Sequence, residues 1–118
     1  MGSKIRVLHL GSPSGLYGAE RWILALTRHL DRSHVHSIVG VIRDDPASRS
    51  SPLIDHAAAL GLETHVIDAF GKINFQAISR LRSYLVKNKI DVLHTHFYKT
   101  DLIGLLAARN TGCRVVTT

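Results

Sequence analysis

The chain has 118 residues, 45% of them hydrophobic and 20% charged, which is enough for one globular domain with a core but short for a complete metabolic enzyme. No stretch approaches the roughly 18 apolar residues of a membrane span, and no apolar signal core opens the chain, so a cytoplasmic location is the expectation. Fifteen Lys and Arg against nine Asp and Glu leave a net charge of +6, which favours anionic partners such as nucleotide phosphates or phospholipids; the dispersal of that charge, without zinc-finger spacing or an aromatic RNA motif, argues against nucleic acid.

Apolar runs alternate with helical patterns along the whole length, the signature of a parallel sheet covered by helices. A first strand is expected over residues 4–10. The turn that follows carries Gly11, Gly15 and Gly18 and runs into a helix from Gly18 to about Leu30, with Ile23, Leu26 and Leu30 as the buried stripe. Arg21, Arg28 and Arg32 repeat on another side, a solvated face that also suits peripheral contact with anionic lipid. A second strand covers residues 35–42, and residues 43–50 are polar and turn-rich.

Ser51 and Pro52 read as the N-cap and first residue of a second helix, which Gly61 ends and which carries Leu53, Ala57 and Leu60 inward. The third strand spans about 64–68. The third helix, about 75–88, sets Ile78, Leu81 and Leu85 against Gln76, Arg80, Ser83 and Lys87. A fourth strand from Asp91 to Thr95 or His96, a helix over about 100–110 closed by Gly112, and a fifth strand over 114–118 complete the chain. Cys113, the only cysteine, heads an apolar run and reads as a small buried hydrophobe.

Right-handed crossovers with short connections make the sheet order 3-2-1-4-5, a Rossmann-like three-layer α/β/α sandwich with a parallel five-stranded sheet. Ligands of such sheets bind where the chain leaves its two central strands in opposite directions. That crevice lies between the 11–18 turn and the segment His94 to Thr100.

A glycine turn at a helix start offers backbone N–H groups to an anion, which makes Gly15 and Gly18 candidates. His96, at the carboxyl end of the fourth strand, is placed to hydrogen-bond a sugar hydroxyl or a phosphate, and Lys99 stands beside a helix start. Glu20 either complements the dipole of the first helix or orients the turn and a ligand hydroxyl. His9 reads as core, and His94 as a packed histidine bonded to neighbouring backbone. No third metal ligand stands at a recognisable spacing from His94 and His96.

Several familiar sites are excluded. Pro13 occupies the second glycine position of a dinucleotide fingerprint, and neither a P-loop nor a Gly-x-Ser-x-Gly elbow occurs. A phospho-acceptor domain would need carboxylates where His9, Leu10 and Gly11 stand.

The run Lys4-Ile5-Arg6-Val7-Leu8-His9-Leu10, the loop ending Gly18-Ala19-Glu20-Arg21, the segment Asp91-Val92-Leu93-His94-Thr95-His96 and the close from Leu105-Leu106-Ala107-Ala108-Arg109 through Val115-Val116-Thr117-Thr118 resemble the amino-terminal domain of family 4 glycosyltransferases. The resemblance implies the GT-B architecture, with residues 1–118 forming most of the acceptor-side domain and the donor-binding domain absent. It implies transfer of a sugar from a nucleotide sugar, with retention, to a sugar, lipid-linked or small-molecule acceptor, and no separate cofactor or tightly bound metal.

Tyr17 stands where the family usually has the first of two paired glycines, and Gly18 keeps the second. Family members typically place a histidine of the reaction centre directly after the last strand, where this sequence reads only to Thr118. The candidate substrate-binding residues are therefore Gly15, Tyr17, Gly18, Glu20, His96 and Lys99, with no catalytic residue in the fragment, which is expected to be inactive alone. A fifth strand at the sheet margin would favour self-association through its exposed edge. The alternatives are a non-catalytic Rossmann-like nucleotide-binding or interaction module and, further off, a sugar-nucleotide epimerase.

Overall fold

Side chains along a strand point alternately to the two faces of its sheet, and the apolar run at the start of the chain uses both. Leu8 and Leu10 pack on one face, and Val7 and His9 on the other. A strand buried on both sides belongs at the centre of a parallel sheet, and that is where it lies. The computed structural model describes residues 4–11, 18–43, 51–68, 75–96 and 98–118, omitting the side chains of Tyr98 and Lys99. Gly15 and Tyr17 lie outside the described residues.

The elements are β1 (Ile5–Gly11), α1 (Gly18–His29), β2 (Val35–Arg43), α2 (Pro52–Ala59), β3 (Glu63–Asp68), α3 (Phe75–Lys87), β4 (Val92–Thr95), α4 (Tyr98–Ala108) and β5 (Arg114–Thr117). The strands form one five-stranded sheet, every pairing parallel, in the order β3-β2-β1-β4-β5. The expected order holds, and most element bounds fall within about two residues of their expected places.

Two cores flank the sheet. Leu8, Leu10, Ile38 and Leu93 pack against Leu81 and Leu85 of α3 and Ile103 and Ala107 of α4. On the other face Val39 and Val41 meet Ile23 of α1 and Leu53 and Ala57 of α2. Cys113 is half-buried against the first core, and burial pushes its thiol up to about 11, so it stays a protonated hydrophobe at neutral pH.

The sequence signals at helix ends are realised. Ser51 Oγ accepts from the Ile54 N–H at the start of α2, and Gly61 closes the helix at φ +79°. Gly112 follows α4 at φ +81°. Leu60 departs from expectation: it takes the C-cap of α2 and is exposed, because the helix has ended before its side chain can turn inward.

The stripe of α1 also departs. Its buried residues are Glu20, Ile23 and Thr27, while Leu26 and Leu30 are only half-buried. The i, i+3, i+7 spacing is right but begins one residue group earlier, with a carboxylate in the first buried position.

The amino-terminal ends of β1, β4 and β5 are fastened at Asp91. Its carboxylate accepts from the Arg6 N–H at 2.8 Å, its own N–H donates to the Arg6 carbonyl at 2.8 Å, and its carbonyl accepts from the Arg114 N–H at 2.9 Å. Arg6 Nε adds a bond to the Asn88 carbonyl at 2.7 Å.

Candidate functional site

The β1–β4 register pairs His9 with His94, so the carboxyl ends of the two central strands lie side by side. Gly11 ends β1, Gly18 opens α1, and His96 follows β4 directly. Gly11, Gly18 and His96 thus stand at the carboxyl ends of the two central strands, where such sheets bind their ligands.

The two described glycines of the turn serve different ends. A methyl group on Gly11 would overlap Leu53 Cδ2 and approach Glu20 Cγ and Ile23 Cδ1 at 3.3 Å, so its bare backbone is a requirement of packing. A methyl group on Gly18 meets nothing within 4 Å among the described residues. Gly18 opens α1, and the backbone N–H groups of a helix start are the kind of donors that an anion or diphosphate takes.

At the carboxyl ends of β1 and β4 lies a cluster of imidazoles. His9 is 1% and His94 5% exposed, and their Nδ1 atoms are 3.0 Å apart. One of the two must carry a proton and the other a lone pair. His9 Nε2 lies 3.4 Å from Ser37 Oγ, and His94 Nε2 lies 3.2 Å from Thr118 Oγ1. Thr118 Oγ1 is in turn 2.8 Å from His96 Nδ1. His94 therefore bonds side chains, where neighbouring backbone was expected, because its strand neighbours put a histidine and a threonine within reach.

Burial and mutual repulsion keep these rings neutral. His9 is depressed to about 3 by burial, then by His94 and His96, and His94 to about 4 by burial, then by His96. His96 is lowered by burial against the opposing pull of the Glu20 and Asp101 carboxylates. Its Nε2 is enclosed and has no hydrogen-bond partner among the described residues. Among the described residues no group of three His, Cys, Asp or Glu is arranged to hold a metal ion.

Glu20 is 1% exposed, in the first turn of α1. It is a buried charged group within electrostatic range of His96, so two of the candidate residues from separate elements share one environment. Lys99 lies in the first turn of α4, its side chain outside the described residues.

Trp22 was not among the sequence candidates. Its indole lies edge-on to His94 and His96, with ring centroids 5.5 and 6.0 Å away, and it is 49% exposed. Below it an open groove of about 230 Å³ runs between Leu26 and Leu30 of α1 and Val7, Val92 and Val116 of the sheet. The signal in the sequence was a lone tryptophan two residues past Glu20, off the assigned stripe.

Comparison with known proteins bears on this architecture. The family model described as Glycosyltransferase Family 4 matches residues 17–118, nearly the whole chain. The chain belongs to glycosyltransferase family 4. This family 4 domain superposes on the crystal structure of a glycosyltransferase from Rickettsia africae ESF-5 with a TM-score of 0.75 at 16% sequence identity. At that identity the likeness is one of fold. The match covers 98% of this chain and 30% of that one, so the family 4 domain spans about a third of the solved protein. A search of curated proteins finds no match.

Proposed function

We propose that the chain is the acceptor-side part of a glycosyltransferase that moves a sugar from a nucleotide-sugar donor to an acceptor hydroxyl with retention, and that it transfers no sugar by itself. The observation that carries this reading is that the helix start at Gly18 and His96, whose Nε2 has no partner among the described residues, stand at the carboxyl ends of the adjacent central strands β1 and β4. A departing diphosphate needs backbone donors at a helix N-terminus, and an acceptor hydroxyl needs a positioned hydrogen-bonding group beside it. The donor, being a substrate, leaves no need for a separate cofactor.

The groove under Trp22 supports an acceptor with an apolar portion, such as a lipid-linked one. The exposed Arg21 and Arg28 on α1 support peripheral contact with anionic lipid at the cytoplasmic face. No helix among the described residues is long and apolar enough to cross a membrane.

Two assays test the reading. The purified 118-residue chain is expected to show no transfer from any nucleotide sugar, and turnover would overturn the split of function between domains. In the enzyme completed by its donor-binding domain, replacing Gly18 with a bulky residue is expected to weaken donor affinity and turnover. Unchanged values for both would remove the turn from the mechanism.

A further inference from the structure

The groove beneath Trp22 has a helical wall and a sheet floor. Trp22 and Leu26 of α1, and Leu30 just past its end, whose N–H still bonds the Leu26 carbonyl at 3.0 Å, stand at i, i+4 and i+8. They form a single row, about 12 Å long at about 1.5 Å per residue. Strand register sets the floor: Val7 pairs with Val92 in one row, and His9 with His94, which pairs with Val116, in the next.

Two histidines would ordinarily make such a floor polar. Here both nitrogens of each ring are engaged: His9 and His94 meet through Nδ1 at 3.0 Å, His9 Nε2 lies 3.4 Å from Ser37 Oγ, and His94 Nε2 lies 3.2 Å from Thr118 Oγ1. An apolar group laid over the two rings therefore strands no donor or acceptor on them.

The dimensions of the groove discriminate between occupants. A volume of about 230 Å³ spread over about 12 Å leaves a cross-section of about 19 Å². A helix, about 10 Å across, is too wide to enter. An extended peptide would bring its own N–H and C=O groups against rings whose nitrogens are already taken. A hydrocarbon chain meets both limits. The upper end of the groove is continuous with the candidate site, because Thr118, which lines it, places Oγ1 2.8 Å from His96 Nδ1.

We propose that the groove holds an unbranched alkyl chain of the acceptor, lying along α1 from Trp22 toward Leu30, with the acceptor's polar head at the carboxyl ends of β1 and β4. The inference rests on the reading of that end as the acceptor site. At about 1.25 Å per carbon, from standard bond lengths and angles, the row from Trp22 to Leu30 takes about ten carbons.

Trp22 is the chain's one tryptophan and lines the groove, so its fluorescence reports occupancy in the 118-residue chain. Titration with n-alkyl β-glucosides from hexyl to dodecyl, each below its micelle-forming concentration, is expected to show Kd falling about two- to fourfold per added methylene, the gain from a half- to fully buried CH₂, and levelling off near decyl. A Kd independent of chain length overturns the proposal. So does a fluorescence change that tracks a rise in mass by light scattering, which would give the groove to a second copy.

Leu26→Phe, halfway down the row, is expected to remove the gain beyond hexyl. Val116→Phe, at a half-exposed position where the fold tolerates bulk, is expected to weaken decyl glucoside about tenfold. An unchanged series in either folded variant overturns the proposal.

In the enzyme completed by its donor-binding domain, the acceptor KM is expected to fall along the same series with kcat little changed. A flat KM with the Kd series intact overturns the acceptor role alone and leaves the transferase reading standing. No transfer to any acceptor overturns that reading as well.

Discussion

His9 and His94 face each other through like nitrogens, Nδ1 to Nδ1 at 3.0 Å, across the one sheet pairing that joins the two halves of the fold. Two rings in this contact share a single proton, so the pair tolerates neither a second proton nor its own removal without cost. The central crevice is therefore built over a neutral polar core.

Acid should undo that core first. In the unfolded chain both imidazoles titrate near 6.5, and in the fold at about 3 and about 4, with His65 lowered in the same direction by burial. Above pH 6.5 neither state binds these protons and the stability is fully present. As pH falls below 6.5 the unfolded chain takes up protons that the folded chain refuses, until the folded values are reached. Each of the two imidazoles should thus remove up to about 1.4 kcal/mol per pH unit over that window. Urea unfolding at pH 7.5, 6 and 5 is expected to show a falling midpoint with an unchanged m-value, and a flat midpoint would contradict neutral burial.

The two glycines of the turn should separate cleanly. Gly11→Ala forces Leu53, fully buried against Ile23, to move, at a cost of about 1–3 kcal/mol. Gly18→Ala meets nothing within 4 Å among the described residues and should leave the thermal midpoint unchanged or slightly raised. A destabilised Gly18 variant with an unaffected Gly11 variant would reverse the assignment of packing and binding roles.

The ends of α2 give a second pair. Ser51→Ala removes the side-chain acceptor of the Ile54 N–H and should cost about 1 kcal/mol. Gly61→Ala places a Cβ at φ +79° and should cost about as much. The sites lie at opposite ends of the helix, so chemical denaturation of the double variant should show the two losses adding to within about 0.5 kcal/mol.

β5 is at the sheet margin, with Val116 47% exposed, and the outer surface of neighbouring α4 shows Leu102, Leu105 and Leu106. Unpaired strand edges bordered by apolar surface associate. Light scattering on the 118-residue chain is expected to show a mass that rises with concentration and falls back on Val116→Lys. A strictly monomeric mass at high concentration would count against this contact.

Strand order and helix ends were legible because they follow from alternation and capping: the apolar residues of β1 had to face both ways, and Ser51, Pro52 and Gly61 each have few other uses. The phase of α1 was not legible. Ile23, Leu26 and Leu30 form an apolar row as regular as the one a core would demand, and nothing local says that Glu20 is buried or that Leu26 and Leu30 line a groove. The site was half legible. His96 follows from its place at the end of β4, but its link to His94 through Thr118 joins residues more than twenty positions apart and depends on the registers of three strands. Trp22 was hidden by the same misplaced phase.

The fastening at Asp91 divides labour along the strands. It ties β1, β4 and β5 together at the end remote from His96 and Gly18, through backbone groups and one carboxylate. Substitutions around the crevice therefore need not loosen the strands that hold it. Side chains at the carboxyl ends of the strands can change while the lower end keeps the sheet in register.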